Sequence, residues 1–277
     1  MNTHAGHDTV AAGDPSAWLV PLTVVAVTGG LYLAGTWLWS LRRGRPWSPW
    51  RTASWCAGTV VVALALSPLT DSPTARAHMV QHLMLGMLAP IGLVLGAPVT
   101  LLLGVLPPPA ARRLTAILRT PVFHVVSHPV TAAALNVGGM FVLYLTPLFV
   151  LASERPAVHH LLHVHFLVAG YLFAWAIAGP DPAPNRPGMT TRVIVLVVSA
   201  AAHGYLAKLL YAQANALPPG ADFTVADLQS AAQWMYYGGD VTEILLAVAL
   251  FSTWLRHRSR LHAPGGVSRA DVGTPRA

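Results

Sequence analysis

Seven stretches of this chain are apolar over the length of a membrane span, and short polar or proline-rich segments separate them. They run at about 17–40, 52–69, 76–104, 130–151, 157–178, 190–212 and 229–255. A transmembrane helix needs about 20 consecutive, mostly apolar residues. The pattern therefore predicts an all-α, polytopic membrane protein with seven transmembrane helices. The third stretch is too long for one straight span. Pro90 lies inside it, Gly96-Ala97-Pro98 lies near its end, and Pro107-Pro108-Pro109 follows. A helix from about Ala75, kinked near Pro90 and followed by a short second piece, accounts for that length. Proline removes a backbone donor and frees a carbonyl, so neighbouring helices should cover the region. Between the third and fourth stretches, AARRLTAILRT at 110–120 sets Leu114, Ile117 and Leu118 opposite Arg112 and Arg113. That is the pattern of a short interfacial helix.

Composition agrees with the pattern. The chain is 54% hydrophobic and only 10% charged, against about 25% charged for a typical soluble domain. The net charge of +7 raises the question of nucleic acid. The position of the charge answers against it, because the arginines lie in the short connections between apolar segments. Fourteen basic residues fall in alternate connections: Arg42, Arg43, Arg45 and Arg51; Arg112, Arg113 and Arg119; Arg186 and Arg192; and five in the carboxyl tail from Arg256 onward. The other connections hold only Arg76 and Arg155. Cytoplasmic loops carry the basic excess, which predicts an amino terminus outside and a carboxyl terminus in the cytoplasm. The domain reading is an extracytoplasmic tail at 1–16, a seven-helix membrane domain at 17–256 and a disordered cytoplasmic tail at 257–277. The opening MNTHAGHDTVAAGDP has no basic n-region, so the first helix is expected to be a permanent anchor. Cys56 is the single cysteine and no CxxC pair exists, which leaves it a buried, inert side chain.

Histidines supply the candidate chemistry. His78 and His82 lie on the third stretch, His159, His160 and His163 on the fifth, and His203 on the sixth. His78 and His82 are four residues apart, as are His159 and His163. Each pair therefore shares a helix face, its members roughly 6 Å apart along the axis. The predicted topology sets all of these in the outer leaflet. An ionisable side chain inside the membrane usually faces the bundle interior and marks a functional pathway. Imidazole is also the commonest metal ligand. The expected site is His78, His82, His159 and His163, with His203 as its closing ligand. His160 points about 100° away from His159 and is a bystander. His165, His124 and His128 read as anchor or loop residues. Imidazole suits copper, zinc, iron and nickel, and thioethers favour Cu(I). Met79, Met84 and Met87 stand around His82 in HMVQHLMLGM, either as packing residues or as optional copper donors. No carboxylate joins the set, which points to copper, as Cu(I), rather than zinc. His4 and His7 in the amino-terminal tail are weak metal-capture candidates. Lys208 with Asp240 or Glu243 is expected to form an intramembrane ion pair, or else a proton or ion relay.

Several segments carry a resemblance. HMVQHLMLGMLAPIGLVLGAPVTLLL, HHLLHVHFLVAGYLFAWAIAGPDP at 159–182, AHGYLAKLLY around His203 and DLQSAAQWMYYGGD at 227–240 are similar to the CtaG-type family of cytochrome c oxidase assembly factors. The similarity extends over roughly residues 17–256. Asp227 and Gln229 are split by Leu228, and Ala231-Ala232 replaces a glycine-rich step, so the start of the last helix departs from the family pattern. The resemblance implies a role in making an active haem-copper oxidase of the caa type, by copper delivery to its metal centre or stabilisation of that centre. His78 and His82 match the family's paired histidines; His159, His163 and His203 match its later ones less closely. The expected protein is a non-enzymatic assembly factor of the cell membrane. Its expected partners are an oxidase subunit, an extracytoplasmic copper donor and the lipid bilayer. Bis-histidine haem binding and copper permeation are the competing functions. A retinal-type photoreceptor is disfavoured, because Lys208 is the only lysine and lies in the sixth helix rather than the seventh.

Overall fold

The computed structural model describes residues 15–70, 72–183 and 186–261. Both expected tails, with His4 and His7, fall largely outside these residues. Among the described residues the chain is helical throughout, with no strand. The helices are α1 Pro15–Arg43, α2 Pro49–Ala65, α3 Ala75–Leu95, α4 Pro98–Val105, α5 Pro108–Leu118 and α6 Pro121–Val126. They continue with α7 Pro129–Leu145, α8 Leu148–Glu154, α9 Pro156–Ala178, α10 Met189–Ala212 and α11 Val225–Leu261. Proline punctuates this order. Pro49, Pro98, Pro108, Pro121, Pro129 and Pro156 open their helices, where the missing N–H is not needed.

Five helices, α1, α3, α9, α10 and α11, are long and apolar enough to cross a bilayer. The bent pair α7 and α8 makes a sixth if it counts as one span. Helix α1 is peripheral: only 11% of its apolar window is buried, so its outer face needs lipid. Two stretches differ from the sequence expectation. The second stops at Ala65, giving α2 only 17 residues. Its end is closed by Thr70, whose hydroxyl donates to the Ala65 carbonyl at 2.9 Å. The fourth is broken, with α7 and α8 meeting at 81° because Pro147 follows an extended Thr146. The third divides as expected into a helix from Ala75 and a short second piece. Helix α3 takes in Pro90 with one π turn just before it, Met84–Leu88, in which the Ala89 N–H reaches back to the Met84 carbonyl. The chain breaks at Ala97, a non-glycine residue at φ 52°, and restarts as α4 at Pro98. The short helix expected between the third and fourth stretches is present as α5, with Leu118 buried and Ile117 exposed.

Helix α3 is the centre of the bundle, and glycine lets its neighbours approach. A Cβ on Gly92 would lie 2.8 Å from the Gly58 Cα of α2. A Cβ on Gly170 of α9 would run into the Gly86 carbonyl of α3, and one on Gly238 of α11 would meet Leu83 at 2.6 Å. Small residues at such crossings let backbones pack directly in a membrane. Hydrophobic side chains then fill two layers. Met79, Met140, Phe166, Leu206 and Met235 occupy one; Trp175, Ile177, Leu196 and Leu250 occupy the other.

Two aspartates fasten the ends of the bundle. At the end where α3, α9 and α11 begin, the Ala75 N–H donates to Asp227 Oδ2 at 2.7 Å. At the opposite end Asp181, only 2% exposed, caps α4 from another part of the chain. It accepts from the Thr100 N–H at 2.7 Å, the Thr100 hydroxyl at 2.6 Å and the Val99 N–H at 3.2 Å. Arg186 donates to the Gly179 carbonyl and, at 3.0 Å, to that of Asp181, closing the end of α9. Burial pushes the Asp181 carboxyl above its ordinary range, against the pull of the Thr100 and Val99 bonds.

Two outcomes follow for detergent-solubilised protein followed by thermal unfolding. Asp181→Ala, which strips the cap from α4, should cost about 1–2 kcal/mol. Asp181→Asn should cost less, because it keeps an acceptor and removes a buried charge; equal losses would contradict the capping role. Gly170→Ala should lower the midpoint sharply. Gly30→Ala, where an added Cβ meets nothing within 4 Å, should raise stability by about 0.5–1 kcal/mol. The same response at both sites would refute close packing on α3.

Candidate metal centre

The histidine pairs of α3 and α9 face each other because Gly170 lets α9 sit directly on the Gly86 backbone of α3. His78, His82, His159 and His163 line one small cavity, closed by Leu85, Leu143, Leu162 and Phe166, of about 10 Å³. The His78 and His159 rings lie 6.2 Å apart between centroids, and those of His159 and His163 lie 4.2 Å apart. His78 stands on the edge of Phe149 at 4.8 Å, and His82 on Phe166 at 4.1 Å. The Nε2 atoms of His78 and His82 are buried and have no hydrogen-bond partner. A buried imidazole nitrogen left unsatisfied is costly, and an ion bound there by the neutral tautomer would relieve that cost.

Gln81, between the paired histidines, fixes the chemistry of His163. Its Nε2 donates to the Ala65 carbonyl at 2.7 Å, closing the end of α2. Its Oε1 is then the acceptor facing His163 Nε2 at 3.1 Å. His163 therefore carries its proton on Nε2 and presents the Nδ1 lone pair. A hydrogen bond on the far nitrogen sets ring orientation and tautomer in metal-binding histidines. The sequence reading missed Gln81. Its place one residue before His82, on the flank of the His78/His82 face, was the available signal.

His203 does not join this cavity. It is 1% exposed, packed onto the backbone of Gly239, with Nδ1 3.4 Å from Glu243 Oε1. The expected Lys208 ion pair is replaced: Lys208 Nζ lies 5.1 Å over the Tyr236 ring, and Glu243 pairs with His203. The methionines stay away from the histidine cavity. The Tyr144 hydroxyl donates to Met79 Sδ and the Thr242 hydroxyl to Met87 Sδ, each at 3.6 Å. His165 binds the Leu135 carbonyl at 3.2 Å, which lies in the π turn Ala134–Gly138 of α7. His128 accepts from the Val130 N–H at 3.3 Å and caps α7. His160 is exposed at the surface of α9. Among the described residues no three His, Cys, Asp or Glu side chains stand in a ready metal-holding arrangement.

A family model described as cytochrome c oxidase caa3 assembly factor matches residues 30–257. Uncharacterized proteins of Mycobacterium bovis and Mycobacterium tuberculosis are each 35% identical to this chain, over 79% of it and 36% of the relative. One of Mycobacterium leprae is 32% identical over the same shares. The chain thus spans about a third of the length of these curated relatives. No solved structure matches it.

Replacing Gln81 by Leu strands the His163 Nε2 proton and leaves the Ala65 carbonyl to Thr70 alone. Thermal unfolding should show a loss of about 1–3 kcal/mol; wild-type stability would show that the bridge carries no weight.

Proposed function

We propose, since this chain belongs to the cytochrome c oxidase caa3 assembly factor family, that it binds copper as cargo at His78, His82, His159 and His163 and passes it to an oxidase subunit. The observation that carries this reading is the pair of unpartnered, buried Nε2 atoms of His78 and His82, facing two further imidazoles across one cavity. The donor set is neutral and made of imidazoles. Copper accepts such donors readily, and Cu(I) needs only two or three of them. The four rings are not already closed around one point, which suits a site that must also release its ion. Transfer then proceeds by ligand exchange with the partner, with no covalent chemistry for the protein to perform. A cavity of about 10 Å³ favours a single ion over a porphyrin, so copper is preferred to bis-histidine haem ligation.

The proposed setting is the cell membrane, crossed seven times, with the histidine end outside. The 17 residues of α2 span about 25 Å, at the short end of what a bilayer accepts. The bent α7 and α8 supply another crossing. The basic connections sum to one side under this topology, and α3, α9 and α11 begin at the same end, as alternate spans must. An extracytoplasmic donor would load the site from that end.

Full-length protein carrying His78→Ala and His82→Ala, purified in detergent and loaded with Cu(I), should lose the copper of this site while remaining monodisperse. Copper content equal to wild type would overturn the assignment.

A further inference from the structure

Deeper along α3 a second set of polar groups is buried, and the histidine site does not use it. Asn136 is 2% exposed, and its Oδ1 has no hydrogen-bond partner. Glu243 and Asn136 line a cavity of about 20 Å³ together with Gly86, Met87 and Thr242. That volume is enough for one ion or one water. Across Glu243 stands His203, buried and 3.4 Å away. The π turns of both α3, at Met84–Leu88, and α7, at Ala134–Gly138, meet at this cavity. Such turns recur at functional sites because they re-aim side chains out of the helix register. Here they deliver Met87 and Asn136 to the same cavity. An acidic side chain at membrane depth is expensive and marks a site by default. Glu243 has no lysine to neutralise it, since Lys208 lies over Tyr236.

The two sites are neighbours across the Gly86 backbone. The point where a Gly86 Cβ would lie is 3.9 Å from Asn136 Oδ1 and 3.9 Å from His82 Cε1, with Phe166 Cβ 3.6 Å from the same point. No side chain from Gly86 stands between the histidine cavity and this one. We propose that the inner cavity is a second station for the same cargo, a Cu(I) ion held by the Glu243 carboxylate, the Met87 thioether and the Asn136 amide oxygen. Its occupant rests on the copper reading of the histidine site. The thioether is the soft donor that Cu(I) favours. The carboxylate makes the complex neutral, which removes most of the penalty of a lone ion in hydrocarbon. His203 is a positioning residue that holds the carboxylate through Nδ1. The ion moves inward as Met87, Asn136 and Glu243 replace its imidazoles one by one, His82 last, so the cargo is handed on from within the bilayer.

The test titrates full-length, detergent-purified protein with Cu(I) against a competing chelator, counting bound equivalents. Wild type should bind two, with Glu243→Gln and Met87→Leu each weakening one by tenfold or more and sparing the other. The His78→Ala, His82→Ala protein should lose the complementary equivalent. A single wild-type equivalent that survives in Glu243→Gln and disappears with the histidines overturns the inner station and leaves the histidine site intact. One that survives loss of the histidines and disappears in Glu243→Gln supports the inner station and overturns the outer one. No binding by wild type overturns both. If Glu243→Gln does not stay monodisperse, Met87→Leu decides alone, and unchanged affinity in it overturns the proposal.

Discussion

The approach of backbones around α3 is the constraint on which the rest of the structure depends. Gly92 and Gly58 against each other, Gly170 against the Gly86 carbonyl and Gly238 against Leu83 leave no room for a further methyl group. In lipid, helices gain little from burying apolar surface against one another, and association depends on packing and on internal polar contacts. The glycines provide the first. Asp227 on the α3 amino terminus and Asp181 on α4 provide the second. Because α9 is drawn onto α3 at Gly86, one face of each helix is forced together, and both faces carry histidine pairs.

That geometry explains why the polar residues of the interior fall into two groups. Above the Gly86 crossing, imidazoles meet imidazoles with little else polar, apart from Gln81. Below it, the π turns admit Asn136 and Met87, and α11 contributes Glu243.

Much of this was legible in the sequence. Hydropathy located α1, α9 and α10 to within a few residues, since long apolar runs leave a helix few alternatives. Four-residue spacing correctly put His78 with His82 and His159 with His163, and those four residues share a cavity. What was not legible depended on chain breaks and on partners distant in sequence. Pro147, after an extended Thr146, bends the fourth stretch, which hydropathy alone reads as one span. His203 matched the others in depth but faces Glu243, because rotation about α10 is set by packing on Gly239. Gln81 and Asp181 act on carbonyls and N–H groups of other helices, which no local pattern reveals.

The central claim is that one copper ion is shared by imidazoles of α3 and α9. X-ray absorption at the copper edge of Cu(I)-loaded protein tests it most directly. The account predicts outer-shell scattering from at least two imidazole rings per histidine-site copper, reduced when the α9 pair His159 and His163 is replaced and α3 is left intact. A spectrum with no imidazole scattering, or one indifferent to the α9 histidines, would contradict it.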